Sequence, residues 1–257
     1  DWMTGVRSSG PAKWTMLETD SGPTHAPWED ARCCGNQLES DPLVSCSLVV
    51  LFDRDAGELE RRSAQWADDP VRASAVRAAR VTRLLEQSLV ETNDAEYDKA
   101  LAWAKISANE LVVTEFSKGI WAGLPWFHQG WGRDTFISLP GTSIVTGQFK
   151  DAAEIIRGFA AYQITDPDHP LYGRIPNRVC SPTDIIYNTT DGTPWLIREV
   201  AEYVLWTGDR AFAEEMLPMV RRAIEGALKN FTDEFGLMTH DDADTWMDAK
   251  LEGLEAW

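Results

Sequence analysis

Five long segments with helical periodicity fill most of residues 94–232, and helix-breaking residues separate them. Gly147, Gly208 and the DPDHP stretch at 166–170 supply stop and start signals between these segments. No alternating strand pattern falls between them, which excludes a parallel sheet with crossover helices. The sequence therefore predicts a mainly α fold with its functional residues on loops. The predicted helices span residues 94–116, 135–145, 150–163, 194–207 and 211–232.

The residues before this helical region have a different character. Residues 1–41 are rich in Gly and Pro, which argues against a long helix there. Residues 43–52 end in the β-branched apolar run LVVLF, which predicts a buried strand. Pro70 follows an Asp, a pattern typical of a helix start, and an apolar stripe continues over residues 71–89. We therefore expect the end of a β-rich domain, followed by a linker helix.

The chain carries an excess of acid, because 24 Lys and Arg oppose 41 Asp and Glu, for a formal net charge of −17. Binding a nucleic acid or an anionic membrane surface requires clustered cations, so we expect neither partner. No apolar run approaches the roughly 20 residues that span a bilayer, and no signal-peptide pattern is present. The four cysteines have no C-x-x-C spacing. Reduced thiols and a cytoplasmic location are therefore predicted.

Three loops hold too many aromatic and polar residues to be simple connectors. They read GIWAGLPWFHQGWGRD at 119–134, GRIPNRVCSPTDIIYNTTDGTPW at 173–195 and THDDADTWMDAK at 239–250. The chain has 12 Trp, and a Trp ring either fills a core or covers the apolar face of a sugar. Composition leaves both interpretations open.

Each loop contains a candidate for chemistry and a structural alternative. Adjacent Arg133 and Asp134 offer a donor fork and an acceptor for neighbouring sugar hydroxyls, or Asp134 caps a helix while Arg133 forms a salt bridge. Asp191 is either a substrate ligand or the N-cap of the next helix. Asp248 follows Trp246 in an acidic loop, and a carboxyl against an apolar ring is suited to act as a general acid.

The residue types present point to carboxylate chemistry without a cofactor. Trp246 stands where a hand-type calcium loop needs glycine, and the histidines lack metal-ligand spacing. No nucleophile elbow, phosphate loop or dinucleotide fingerprint occurs. Carboxylates, arginines and tryptophans on a helical scaffold favour glycoside hydrolysis, for which we expect no metal and no organic cofactor.

Four motifs, in their order along the chain, resemble the glycogen-debranching amylo-α-1,6-glucosidase family. They are WGRDTFISLPG at 131–141, IPNR at 175–178, YNTTDGTPW at 187–195 and TWMDA at 245–249. The resemblance covers roughly residues 97–257. It implies an (α/α)6 toroid of the six-hairpin glycosidase type, akin to the glucoamylase barrel. The implied reaction is inverting, exo-acting hydrolysis of α-1,6-linked glucose at branch points of a glycogen-like glucan or oligosaccharide.

The resemblance also implies roles for individual residues. Asp248 would be the general acid that protonates the glycosidic oxygen. Arg133 and Asp134 would hold hydroxyls of the terminal glucose, and Asp191 and Arg178 would line the pocket. The candidates for stacking on the sugar are Trp126, Trp131 and Trp246.

The resemblance further implies that the chain is part of a longer protein. Inversion needs a second carboxylate about 6.5–9.5 Å from the first, and the family places this base well downstream of the TWMDA motif. The missing half of the barrel would be a partner, and residues 1–257 alone are expected to show negligible activity. The predicted regions are residues 1–68, the C-terminal part of a β-rich domain; residues 69–93, a linker helix; and residues 94–257, the first half of the barrel.

Three alternatives remain open at this point. The same barrel could carry the specificity of a glucoamylase, a trehalase or a glycosylglycerate hydrolase. The chain could be a non-catalytic glycan-binding fragment that lacks the base. It could also be a helical interaction domain with no role in sugar recognition.

Overall fold

The computed structural model describes residues 3–8, 12–17, 35–40, 48–53, 55–114, 117–124 and 126–247. The chain divides into two compact units, Asp1–Thr82 and Arg83–Trp257. Helices dominate the described residues, which confirms the predicted mainly α fold. Among these residues, no helix is both long and apolar enough to cross a membrane. The predicted region boundaries after residues 68 and 93 stay predictions.

The first unit contains two antiparallel strand pairs and a helix that the sequence did not predict. Strand β1 (Met3–Ser8) pairs with β4 (Leu48–Asp53), and β2 (Ala12–Leu17) pairs with β3 (Gly35–Ser40). Strand β4 confirms a strand within the predicted segment 43–52. Helix α1 (Ala56–Asp68) then packs on β1 and β4.

The start of α1 explains why the sequence concealed this helix. The Asp55 carboxylate accepts a hydrogen bond from the backbone N–H of Glu58 at 2.7 Å, which is an N-cap. The helix has few apolar residues, of which Leu59 is buried, so no apolar stripe indicates it. The start of α1 at Ala56 is therefore marked by the Asp55 cap and not by an apolar stripe.

Helix α2 (Pro70–Glu86) confirms the helix predicted after Pro70. Its first turn is capped by Asp69, whose carboxylate accepts from the backbone N–H of Arg72 at 3.1 Å. At the other end, the ammonium group of Lys105 donates to the carbonyl oxygens of Leu85 and Gln87. A cation at this position satisfies carbonyl groups that the helix leaves without partners.

The second unit is built on α-helices, one within or overlapping each of the five predicted segments. They are α3 (Ala95–Glu110), α4 (Gly132–Leu139), α5 (Phe149–Ala160), α6 (Gly192–Thr207) and α7 (Arg210–Asn230). Helices α4 and α6 contact each other, and α5 and α7 both contact α6. Their shared core consists of apolar side chains that include Phe136, Leu139, Ile155, Ile156, Phe159, Leu196, Phe212 and Met216.

The predicted helix 135–145 is in fact two pieces. Helix α4 ends at Leu139 and continues as a π-helical turn over Pro140–Ile144. Pro140 has no N–H for the α-helical ladder, and the wider turn closes through the N–H of Val145, which donates to the carbonyl of Pro140 at 2.9 Å. This turn packs against α3, α5 and α6, so it belongs to the core of the unit.

Short antiparallel strands occupy two of the three aromatic loops, and the predicted helix 94–116 was too long. Helix α3 ends at Glu110, and β5 (Val112–Thr114) pairs with β6 (Lys118–Gly123). The β-branched residues after Glu110 favour extended backbone, which the helical periodicity did not reveal. The remaining strands are β7 (Phe127–Gly130), β8 (Arg178–Ser181) and β9 (Asp184–Ile186).

Candidate active site

The first and second aromatic loops meet at the N-terminal ends of α4 and α6. The guanidinium Nε of Arg133, in the first turn of α4, lies 2.9 and 2.8 Å from the two carboxylate oxygens of Asp191, which immediately precedes α6. This ion pair spans 58 positions of sequence. It brings together two residues that the sequence predicted for the site and sets the two helix N-termini side by side.

The Arg133–Asp191 pair is only partly sealed from solvent. The side chain of Arg133 is 11% exposed and that of Asp191 is 32% exposed. A carboxylate has about four lone-pair positions, so an accessible Asp191 retains capacity to accept from a ligand. The pair therefore has the chemistry to meet a polyhydroxyl molecule at this end of the helices.

A neighbouring threonine performs the capping that the sequence offered as an alternative role for Asp191. Asp191 stands at the N-cap position of α6, but its side chain makes no capping hydrogen bond. The hydroxyl of Thr189 accepts from the N–H of Gly192 at 3.0 Å and donates to Asp191 at 2.8 Å. Asp191 therefore occupies the predicted N-cap position without capping α6 through its side chain, and its carboxylate faces Arg133.

Asp134 lies in the first turn of α4 and is exposed. Trp131, without a side-chain capping bond, occupies the N-cap position of that helix. The interpretation of Asp134 as an N-cap is therefore wrong. A carboxylate in the first turn of a helix is favoured by the partial positive charge there, and this one stands next to the Arg133–Asp191 pair in sequence.

Trp131 and Arg178 connect the WGRD and IPNR motifs. The two residues form an isolated antiparallel bridge, and the guanidinium carbon of Arg178 lies 5.3 Å from the centre of the Trp131 ring. Arg178 also donates to Asp184 at 2.9 Å. The Nε1 of Trp131 and the Nε of Arg178 are buried and have no hydrogen-bond partner among the described residues.

Close backbone approach at Gly132 makes this connection possible. The N–H of Gly132 donates to the carbonyl of Asn177. A Cβ atom at position 132 would lie 2.7 Å from the carbonyl oxygen of Pro176, which is closer than real Cβ contacts allow. The glycine of the WGRD motif is thus required by the loop that it touches.

Two predicted stacking residues lie on the surface, and the predicted general acid lies outside the residues that the structure describes. Trp126, in the turn between β6 and β7, and Trp246, in the third loop, are both largely exposed. Asp248 falls outside the described residues. Within the described residues, no group of three or more His, Cys, Asp or Glu is arranged to hold a metal ion.

The third loop is fixed to the second by an ion pair that sequence reasoning missed. Arg174 donates to Asp244 Oδ1 at 3.0 Å and to Asp244 Oδ2 at 2.6 Å. The exposed fractions of the two side chains are only 7% and 5%. Nothing in the acidic run 241–244 indicates that Asp244, and not Asp241 or Asp242, is the buried member.

A second missed group is the carboxyl of Glu199 on α6. It is completely buried, which raises its pKa to about 7, against a smaller lowering by the adjacent Arg198 guanidinium. Arg198 donates to Oε1 at 3.0 Å, and Oε2 has no partner among the described residues. Its position among apolar core residues gave no sequence signal of function.

A cavity of about 270 Å³ lies next to Arg174, which is one of its lining residues. Its walls come from α6, α7 and the residues after α7, and most are apolar, such as Ile197, Leu228 and Phe231. Arg133 and Asp191 do not line it. An apolar lining suits hydrophobic groups better than polyhydroxyl ones, whereas the Arg133–Asp191 pair offers polar donors and acceptors.

Comparison with known proteins places this geometry in a family context. The sequence model of a family described as amylo-alpha-1,6-glucosidase matches residues 88–256, which include all four motifs and nearly all of the second unit. The glycogen debranching enzyme of Saccharomyces cerevisiae is 30% identical over 105 residues, which are 39% of this chain. The match covers 6% of the length of that relative.

Proposed function

The chain belongs to the amylo-alpha-1,6-glucosidase family, and from this premise we propose that it binds the terminal glucose of a glycogen-like glucan and releases it from α-1,6 branch points with inversion. The observation that carries the proposal is the half-open Arg133–Asp191 pair at the adjoining N-termini of α4 and α6. A fixed guanidinium and an accessible carboxylate offer donors and acceptors to neighbouring hydroxyls.

The helix arrangement supports an incomplete (α/α)6 barrel over residues 94–257. Helices α4 and α6 contact each other, whereas the intervening α5 and the following α7 each contact α6. These contacts support our proposal that α4 and α6 are inner helices and that α5 and α7 are outer ones. We propose that residues 69–93 are the linker and that residues 1–68 end a β-rich domain.

In this proposal each residue has a separate task. Arg133, Asp134 and Asp191 hold hydroxyls of the terminal glucose, and Arg178 fixes the Trp131 ring at the pocket wall. The exposed rings of Trp126 and Trp246 are available to cover apolar sugar faces.

The chemistry is an inverting displacement with two carboxyl groups. Asp248 gives its proton to the glycosidic oxygen as the bond to the anomeric carbon breaks. A second carboxylate, which we place outside residues 1–257, removes a proton from the water that attacks the opposite face. The balanced products are free glucose and a glucan with one branch removed.

The net charge of −17 supports a neutral glucan, as opposed to a nucleic acid or an anionic membrane, as the partner. The chain has four cysteines without C-x-x-C spacing, which supports a reducing compartment. We therefore propose that the protein is located in the cytoplasm.

The test compares glucose release from a branched limit dextrin, maltose and trehalose by the intact protein. We expect the limit dextrin to be preferred, and Asp248→Asn to abolish the activity. Faster release from maltose or trehalose would favour a related glucosidase. Unchanged glucan binding by Arg133→Ala and Asp134→Ala would favour an interaction domain without sugar recognition.

A second test uses residues 1–257 alone. We expect negligible turnover of α-1,6-linked glucosides because we place the second carboxylate outside these residues. Turnover that Asp248→Asn abolishes would contradict this expectation and would require a base within these residues. Glucan binding without turnover, by the intact protein, would favour a non-catalytic glycan-binding role.

A further inference from the structure

We propose that Asp244 and Arg174 are positioning residues that hold the loop carrying Asp248 in register with Asp191. The inference rests on the proposed role of Asp248 as the general acid. It assigns a purpose to the most deeply buried ion pair that the structure gives among the described residues.

The pair joins the two loops by several bonds at once. The backbone N–H of Thr190 donates to the carbonyl of Asp244 at 2.7 Å, and the hydroxyl of Thr190 donates to the Asp244 carboxylate. Thr190 is the residue immediately before Asp191. Both the main chain and the side chain of Asp244 are therefore bonded to Thr190, the neighbour of the proposed glucose-binding residue Asp191.

Contacts other than the ion pair with Asp244 also hold Arg174 in place. Its guanidinium carbon lies 4.1 Å from the centre of the Phe231 ring, and its Nη1 also donates to the carbonyl of Tyr187 at 3.2 Å. The preceding Gly173 has a φ of +84° and sits against the main chain of Arg222 on α7. The position of Arg174 is therefore fixed by contacts with the C-terminal end of α7 and with the loop that precedes α6.

The charge of this pair is hard to explain by stability alone. Burying two charges carries a large desolvation cost, and well-packed apolar residues often serve stability equally well or better. What a bidentate arginine–carboxylate pair adds is a defined geometry. The structure thus favours a role in fixing the direction of the third loop.

The short distance along the chain makes this role effective. Asp248 follows Asp244 by only four residues in the sequence. We therefore expect a displacement of Asp244 to be passed along these few residues to the proposed general acid. A misplacement of about 1 Å at a reacting group lowers the rate by about 100-fold.

The test separates proton donation from glucose binding by the choice of leaving group. The limit dextrin needs protonation of its glycosidic oxygen, whereas fluoride leaves α-glucosyl fluoride without a proton from an acid. In the intact protein, we expect Asp244→Asn to lower kcat on limit dextrin by about 100-fold. We expect its kcat on the fluoride, and KM for both substrates, to change by less than about threefold.

Asp248→Asn is the reference and Glu215→Gln the matched control. Glu215 also accepts two hydrogen bonds from one arginine, from Nε and Nη2 of Arg157 at 2.8 and 2.7 Å, but it lies on α7 away from the three loops. We expect Glu215→Gln to change neither substrate's kinetics. Equal losses on both substrates for a folded Asp244→Asn, or no loss on either, would overturn the inference.

Thr190→Val gives a decision if Asp244→Asn does not fold. It keeps the ion pair and removes only the hydroxyl that joins Arg174 to Asp244, so we expect a smaller loss with the same preference for the limit dextrin. An equal loss on both substrates, or none, would again overturn the inference. If Asp248→Asn itself shows no selectivity, the proposed acid is wrong; if it is selective and the other variants are not, only the inference fails.

Discussion

Two ion pairs join loops in the second unit, and they differ in how completely they are sealed. Arg133–Asp191 lies at the adjoining ends of α4 and α6 with its carboxylate about one-third exposed, whereas Arg174–Asp244 is buried on both sides. Both carboxylates accept bonds from an arginine and from a threonine hydroxyl. The same chemistry thus occurs once where a ligand could reach it and once where it could not.

The difference shows how burial can give two similar carboxylates different roles. An accessible carboxylate exchanges bonds with water and substrate at little cost, since surface pairs are worth only about 0–1 kcal/mol. A sealed carboxylate depends on its built-in partners, and losing one leaves a desolvated charge. We therefore expect Asp191 to matter for binding and Asp244 for structure and alignment.

The largest effect should follow from breaking the sealed pair. Arg174→Met keeps an unbranched apolar stem but leaves Asp244 buried without its cation, so we expect the free energy of unfolding to fall by about 3–5 kcal/mol. Urea unfolding measures the change. Arg157→Met, which removes the exposed partner of Glu215, is the control and should cost less than about 1 kcal/mol. Equal costs for the two would mean that burial does not distinguish them.

Glu199 sharpens the comparison as a carboxyl that is buried but only half satisfied. Its pKa is raised from 4.5 to about 7, so between these values the folded state binds more protons than the unfolded state. Stability contributed by this group is therefore full below pH 4.5 and declines as pH rises to about 7, by about 1 kcal/mol per pH unit.

The measurement is thermal or urea unfolding across this pH range. Glu199→Gln should flatten the decline because amide burial does not depend on pH. Glu215→Gln removes a carboxyl whose pKa is lowered by its hydrogen bond to Arg157, and the decline should persist in that variant. A decline that persists equally in Glu199→Gln would assign it to another group.

A substitution at Gly132 should disturb the contact between the start of α4 and the loop at Pro176, without removing a residue of either ion pair. The added Cβ of Gly132→Ala would meet the Pro176 carbonyl oxygen at 2.7 Å, and we expect a loss of about 1–3 kcal/mol. Gly158→Ala is a matched helical control, because its nearest neighbour would be a side-chain carbon at 3.4 Å; it should be neutral or stabilising by up to about 1 kcal/mol. Comparable losses in both variants would contradict the close approach at Gly132.

The smallest effect on stability should come from the open pair. Asp191→Asn keeps the shape of the side chain, and we expect a change in unfolding free energy below about 1 kcal/mol. Binding of limit dextrin, measured by calorimetry on the intact protein, should nevertheless weaken by about 10-fold or more, because hydrogen bonds to a charged group are lost. A larger loss of stability than of affinity would reverse the assignment of the two pairs.

The sequence predicted the elements whose signals are local. Pro70, Asp94 and Asp209 each mark a helix start, because capping depends on residues one turn apart. Helix α4 begins three residues before its predicted start, since Trp131 at its N-cap is not a capping residue type. Strand β5 was missed for the opposite reason, as its residues continue a helical pattern.

The sequence predicted which residues belong to the site better than it predicted which of them form contacts with each other. Motif order identified the loops of Arg133 and Asp191, but not that the two would pair across 58 positions. The Arg174–Asp244 pair spans 70 positions and depends on how α6 and α7 pack. Neither separation leaves a periodic trace, so local patterns indicate which loops are special and packing decides which side chains meet.

The hydroxyl of Thr189, which caps α6 in place of Asp191, has a consequence for how this protein could change its specificity. The side chain at position 191 takes no part in capping the helix, so substitutions there test new contacts without removing the cap of α6. A saturation library at position 191, built on an unchanged Thr189, should therefore contain many folded members. Under the proposed function, position 191 is therefore where a change in sugar preference would disturb the helix least.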